Sequence, residues 1–131
     1  MNNRKCTIAV VDDDPRVLES LENLFEASGY VVRMFSSAKA LIDTGLSGID
    51  CLITDIGMPA MAGFELNDRV KTSRPDLPVF LMTGRHEIGD QQRASAKDIS
   101  GFFRKPVDGL ALLAAVSDAL RAHGSDTAVL R

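Results

Sequence analysis

The chain has 131 residues, a net charge of −3 and a sequence pI near 5.3, with 45% hydrophobic and 25% charged residues. That is the size of one ordinary domain with a proper core, and the balance excludes a disordered chain. Without a cluster of Lys and Arg it lacks the basic face that nucleic-acid binding needs, and no apolar run approaches the length of a membrane span.

Residues 1–5 lead directly into the apolar run 7–11, with no signal-peptide stretch, so a reduced, cytoplasmic protein is expected. Cys6 and Cys51 are too few for a disulfide framework and sit where strands begin, as small buried hydrophobes. After the first strand, Asp14 is a predicted N-cap with Pro15 at the first helical position, where its missing N–H costs nothing. Val17, Leu18, Leu21, Leu24 and Phe25 follow at helical spacing, and Gly29 supplies the stop. Residues 30–35 read as a second strand, and Ser36-Ser37 as a cap before a short helix carrying Ala38, Leu41 and Ile42. A loop over 45–50 precedes the third strand, 51–54, whose continuous apolar run predicts burial on both faces.

The loop 57–63 enters a helix through Phe64, Leu66, Val70 and Lys71, and Pro75 and Pro78 mark the next turn. Residues 79–82 and 101–104 are the fourth and fifth strands. Between them lies a polar stretch with only Ile88, Ala94, Ala96 and Ile99 for an apolar face. A fourth helix fits there over about 87–97, as the least stable element. The last helix begins near Asp108 and carries Leu110, Leu112, Leu113, Val116 and Leu120. Residues 1–123 form the expected domain, and 124–131 a tail or the start of a linker. Strands alternating with helices predict an α/β fold, a five-stranded parallel sheet with helices on both faces.

In such a sheet the carboxyl ends of the strands share one edge, where ligands bind. Four predicted strand ends meet there: Asp12-Asp13, Asp55, Thr83 and Lys105-Pro106. Adjacent carboxylates repel unless a cation intervenes, and Mg²⁺ takes hard oxygen ligands. Asp13 and Asp55 fit as direct ligands and Asp12 as a contact through water. As cap residues the three aspartates 12–14 would need no cation, and that reading suits Asp14. Asp55 alone would serve as a turn former; beside Asp12-Asp13 it becomes a carboxylate nucleophile toward phosphorus, forming an acyl phosphate. Thr83 offers a hydroxyl, Gly84 an approachable backbone N–H, and Lys105 a point charge for one phosphoryl oxygen. A cis bond before Pro106 is open at this level. His86, His123, Met58, Met61 and Met82 lack ligand spacing, and Gly45, Gly48 and Gly63 form no phosphate-binding motif.

The order strand-Asp-Asp-x-Pro, Thr-Asp-Ile-Gly-Met-Pro-Ala-Met-Ala-Gly-Phe-Glu-Leu66, Met-Thr-Gly and Phe-Phe-Arg-Lys-Pro106 resembles a bacterial two-component response-regulator receiver domain, in wording most like FixJ-type receivers. The resemblance covers about residues 7–122 and implies a flavodoxin-like (βα)5 receiver fold. It also implies that Asp55 takes a phosphoryl group from the phosphohistidine of a sensor histidine kinase. Asp12, Asp13 and Asp55 would then hold Mg²⁺ with the backbone carbonyl of Gly57. Thr83 and Lys105 would contact the phosphoryl oxygens, and Phe102 would be the aromatic switch. Such a switch reshapes the face of the fourth helix, fifth strand and last helix, where homodimers form. The family commonly carries a C-terminal DNA-binding output domain. Catalysis would be limited to self-phosphorylation and self-dephosphorylation.

Three departures stand out. Gly57 replaces the side chain usual two residues after the acceptor, removing a shield and implying fast phosphoryl loss. Phe102 lacks the hydroxyl of a Tyr, so no hydrogen bond locks its inward rotamer. Lys97-Asp98-Ile99 replaces a small Ala-Gly-Ala turn. Two competing functions are a haloacid-dehalogenase-type phosphatase and a pseudo-receiver that binds partners unphosphorylated. The first needs Thr or Val where Arg16 stands; the complete set Asp12, Asp13, Asp55, Thr83 and Lys105 opposes the second.

Overall fold

In the computed structural model, which describes residues 5–57, 63–84 and 99–129, every apolar run named above is a strand. They are β1 (Thr7–Val11), β2 (Val31–Phe35), β3 (Cys51–Asp55), β4 (Val79–Thr83) and β5 (Gly101–Arg104). All pair in parallel in the order β2-β1-β3-β4-β5. This is the doubly wound order of the flavodoxin-like fold, with its reversal between β1 and β3. β3 and β4 are buried along their whole length, as predicted for β3. β2 is an edge strand and leaves Val31 42% and Met34 41% exposed.

Alternation of side chains along each strand divides the apolar residues between two cores. Ala9, Val11, Leu52, Val79 and Leu81 face one side, under α2 (Ala38–Thr44) and α3 (Gly63–Ser73), with Leu41, Phe64, Leu66 and Val70. Ile8, Val10, Cys51, Ile53, Phe80 and Met82 face the other, with Leu18, Leu21 and Phe25 of α1 (Pro15–Ala27) and Leu112 and Val116 of α4 (Gly109–Val129). Burial pushes the Cys51 thiol far up, away from the thiolate that redox chemistry requires. Cys6 and Cys51 are free.

Capping follows the local sequence. The Asp14 carboxylate accepts from the Arg16 N–H, Pro15 opens α1, and Gly29 at φ 96 follows Ser28 at its end. Ser37 Oγ accepts from the Ala40 N–H to start α2, and Asp108 does the same for Ala111 in α4. The helix expected over 87–97 lies outside the described residues. The last helix continues through residues 124–129, the stretch expected as a tail or the start of a linker. No proline interrupts that stretch, and one interior Gly costs a helix only about 1 kcal/mol.

One glycine is required by close approach. A Cβ on Gly101 would lie 2.8 Å from Phe80 Cδ2 and 3.2 Å from Phe103 Cε1. Phe80 is a fully enclosed ring and has no room to yield. Gly101→Ala is therefore expected to cost about 1–3 kcal/mol as overpacking, read as a lower urea midpoint with unchanged slope.

Candidate functional site

Each strand end is carried to the same edge by pairing that runs one residue past the ladder. The Asp12 N–H donates to Phe35 O at 3.1 Å, the Ile56 N–H to Met82 O at 2.9 Å, and the Lys105 N–H to Thr83 O at 2.6 Å. Asp12 thus stands at the end of β1 and Asp55 at the end of neighbouring β3, on either side of the point where strand order reverses. Thr83 ends β4, and Lys105 follows β5.

These residues converge. One carboxylate oxygen each from Asp12, Asp13 and Asp55 lies within 4.8 Å of the others. An octahedral ion with ligands at about 2.1 Å spans about 4.2 Å across, so the cluster has the size and the all-oxygen chemistry that Mg²⁺ takes. Asp12 is fully buried, Asp55 is 7% exposed, and Asp13 faces solvent. Lys105 Nζ donates to Asp12 Oδ2 at 2.7 Å and stands 3.6 Å from Asp55 Oδ2. The other Asp12 oxygen, Oδ1, accepts from the Asp14 N–H at 2.9 Å, and Asp55 Oδ1 accepts from the Gly57 N–H at 3.3 Å.

Electrostatics follow from this crowding. Burial pushes the Asp55 carboxyl above its ordinary value; Lys105 and the Gly57 N–H pull it down, while Asp12 and Asp13 add to the rise. Burial alone would lower the Lys105 ammonium. Its hydrogen bond to Asp12 and the charges of Asp55 and Asp12 outweigh that, and the net shift is upward. Asp14 is held below its ordinary value by its hydrogen bonds with Arg16, a cap's behaviour.

Thr83 is buried at 2% exposure, one residue past the Asp55–Met82 register pair. Phe102 lies half-buried against the core beneath α2 and α3, as does Ile99. Gly57 is exposed beside Asp55. Lys97 and Asp98 lie outside the described residues, as do His86, Met58 and Met61. The Lys105–Pro106 peptide is cis. Two features were not read from the sequence. One is Lys105 bonding to Asp12 in preference to Asp55. The other is a groove of about 510 Å³ lined by Leu21, Leu24 and Val107 together with Asp14 and Lys105.

A doubly wound sheet with an acidic nest, a lysine and a buried threonine at its carboxyl edge defines a phosphoacceptor module of the two-component type. The family model "Response regulator receiver domain" matches residues 8–117. The response regulator protein TmoT of Ectopseudomonas mendocina is 34% identical over 122 residues, covering 92% of this chain and 56% of that protein. The transcriptional regulatory protein FixJ of Azorhizobium caulinodans is 36% identical over 115 residues, covering 86% and 54%. Among solved structures, the signal receiver domain of an HD domain-containing protein from Pseudomonas fluorescens Pf-5 superposes with a TM-score of 0.86 at 26% identity, covering 93% of this chain and 99% of that one. The chain belongs to the response-regulator receiver family. It spans about half the length of the curated relatives it matches. Membership sets aside the phosphatase reading, and nothing favours a pseudo-receiver. Among the described residues no helix is long and apolar enough to cross a membrane.

Proposed function

We propose that Asp55 is the phosphoacceptor and that Asp12, Asp13 and Asp55, with the Gly57 carbonyl, hold Mg²⁺. The convergence of three carboxylates and Lys105 on one point carries this reading. An Asp55 oxygen attacks the phosphorus of a kinase phosphohistidine; the O–P bond forms, the N–P bond breaks, and the imidazole leaves. Mg²⁺ held there would supply neutralisation of the charge that gathers at the acceptor. Lys105, already 3.6 Å from Asp55 Oδ2, is placed to take one phosphoryl oxygen, and Thr83 another by its hydroxyl. Phosphorylation adds charge and strong acceptors at one point and biases an element with two close-lying states; Thr83 and Phe102 are the proposed reporters.

A sensor histidine kinase is the proposed partner. The groove suits its phosphohistidine-bearing helix, because Asp14 and Lys105 are among the residues that line it. The homodimer face would draw on β5, α4 and the segment 85–98, which lies outside the described residues. A DNA-binding output and a cytoplasmic setting complete the proposal, with residues 1–123 as the receiver unit and 124–131 leading away from it. Catalysis is confined to the chain's own acyl phosphate.

The test is incubation with Mg²⁺ and a small phosphodonor or beryllofluoride, repeated with Asp55→Asn. Wild type is expected to respond and the variant not at all; an unresponsive wild type would leave only a pseudo-receiver.

Gly57 bears on lifetime. A Cβ there would lie 3.9 Å from Asp55 Oδ1 and 4.0 Å from Oδ2, directly over the acceptor. Glycine leaves that side open to attacking water, so phosphoryl loss should be comparatively fast. Gly57→Gln or Gly57→Met is expected to lengthen the lifetime several-fold in a phosphate-release assay. An unchanged rate would show that access at this position does not limit hydrolysis.

A further inference from the structure

Among the described residues the buried polar and charged side chains are Asp12, Thr54, Asp55, Asn67 and Thr83. Asp12 and Asp55 belong to the acidic cluster. The other three lie on one side of the sheet. Alternation sets Thr54 on the face of Leu52 and Thr83 on the face of Leu81, both in the core beneath α2 and α3. They are neighbours there, because Thr54 pairs with Leu81 and Thr83 is the next residue of β4 on that face. Asn67 enters the same core from α3. It stands one turn after Phe64 and one turn before Val70, and all three are buried on the face of α3 turned to the sheet.

An amide is costly in that place. Asn67 is 1% exposed, and its oxygen Oδ1 has no hydrogen-bond partner. A buried acceptor without a donor loses the water it had in the unfolded chain, and nothing in the resting fold replaces it. A donor stands on the sheet face that α3 covers. The Thr54 hydroxyl donates to the carbonyl of Asp55, the next residue, at 3.2 Å, longer than O–H···O bonds usually run. Resting on the reading of Asp55 as the phosphoacceptor, we propose that Asn67 biases the switch: its oxygen is orphaned in the unphosphorylated fold and accepts from the Thr54 hydroxyl in the phosphorylated one. The bond that Thr54 gives up ends on the residue that takes the phosphoryl group, so a shift of the Asp55 backbone releases the donor. An interaction made in one state only moves the balance between two states by its whole difference. Asn67 thus disfavours the resting fold relative to the phosphorylated one, whereas an apolar side chain would treat both alike.

Urea unfolding of the free protein, and titration with the phosphoryl mimic beryllofluoride in saturating Mg²⁺ followed by amide resonances, test this on wild type, Asn67→Leu, Thr54→Val and the double variant. Asn67→Leu should raise the urea midpoint of the free protein, because the orphaned oxygen is gone. It should also weaken beryllofluoride binding on the order of tenfold, because the bond of the loaded state is gone too. Thr54→Val should weaken binding comparably, and the double variant no more than either alone. A raised midpoint with unchanged beryllofluoride affinity would overturn the proposal and leave Asn67 a fixed cost of the core. So would a lowered midpoint, which would mean that the oxygen is satisfied in the resting fold, and so would additive losses in the double variant. Wild type gives a reading that needs no variant: the side-chain NH2 resonances of Asn67 should shift as beryllofluoride binds, and stationary ones would refute the exchange while leaving the phosphoacceptor standing. Failure of wild type to take up beryllofluoride at all would instead sink the phosphoacceptor reading, and this proposal with it.

Discussion

Asp55→Asn should take no phosphoryl group from any donor and should nevertheless melt higher than wild type in metal-free buffer. The first half follows because an amide offers no carboxylate nucleophile. The second follows from burial, which raises the Asp55 carboxyl above the ordinary 3.8 against the pull of Lys105. The folded chain thus holds that proton more tightly than the unfolded chain does. The resulting stability is present in full below the unfolded value and is lost as pH rises through the folded one. Asn carries no proton to lose. The gap in melting temperature should be small near the acid limit and open as pH climbs from about 4. If Asp55 helps hold Mg²⁺ as proposed, the ion should close or reverse the gap, since by mass action it would stabilise folded wild type and would find one carboxylate fewer in the variant. Melting curves in chelator and in Mg²⁺ across that pH range would measure it. Coincident curves at every pH would show that Asp55 ionises freely in the fold.

Phe25→Ala should cost about 3–5 kcal/mol, the usual range for removing a buried aromatic ring. Phe25 is fully buried against the core shared by α1 and α4, with Tyr30 edge-on at 5.9 Å. Its carbonyl also accepts from the Ser28 and Tyr30 N–H groups at the end of α1, and those bonds survive the change. The loss is therefore one of packing, and the cavity lies between two helices tied to a rigid sheet, which limits collapse. Against a total stability of about 5–15 kcal/mol for an ordinary domain, the variant should show a much lower urea midpoint. Phosphoryl uptake should persist in the cold, because the proposed site lies at strand ends beside the N-terminus of α1, at the opposite end of that helix from Phe25. A midpoint within error of wild type would mean the helix re-docks over the void.

Much of this was legible in the chain. The β3 run Cys51-Leu-Ile-Thr has no polar residue until its last position, so only a strand covered on both faces satisfies it. Asp14-Pro15 and Ser37 announce helix starts through side-chain chemistry that acts within three residues. The helical form of 124–129 was not legible because its local signals are weak: a glycine there argues for a stop, and only the continuation of α4 argues against it. Phe102 is a different case. Its position along β5 was clear, but which core it joins depends on sheet register, and it packs beneath α2 and α3.

By itself the sequence determined which residues end each strand and what chemistry they carry, since apolar periodicity, caps and carboxylates are properties of neighbours along the chain. Tertiary structure alone decided who touches whom at that edge. Lys105 and Asp12 are 93 positions apart, and their 2.7 Å bond depends on the parallel register of β1, β3, β4 and β5 together. Local rules act over a few residues; a contact across four strands is set by the summed packing of both cores, which no single segment encodes.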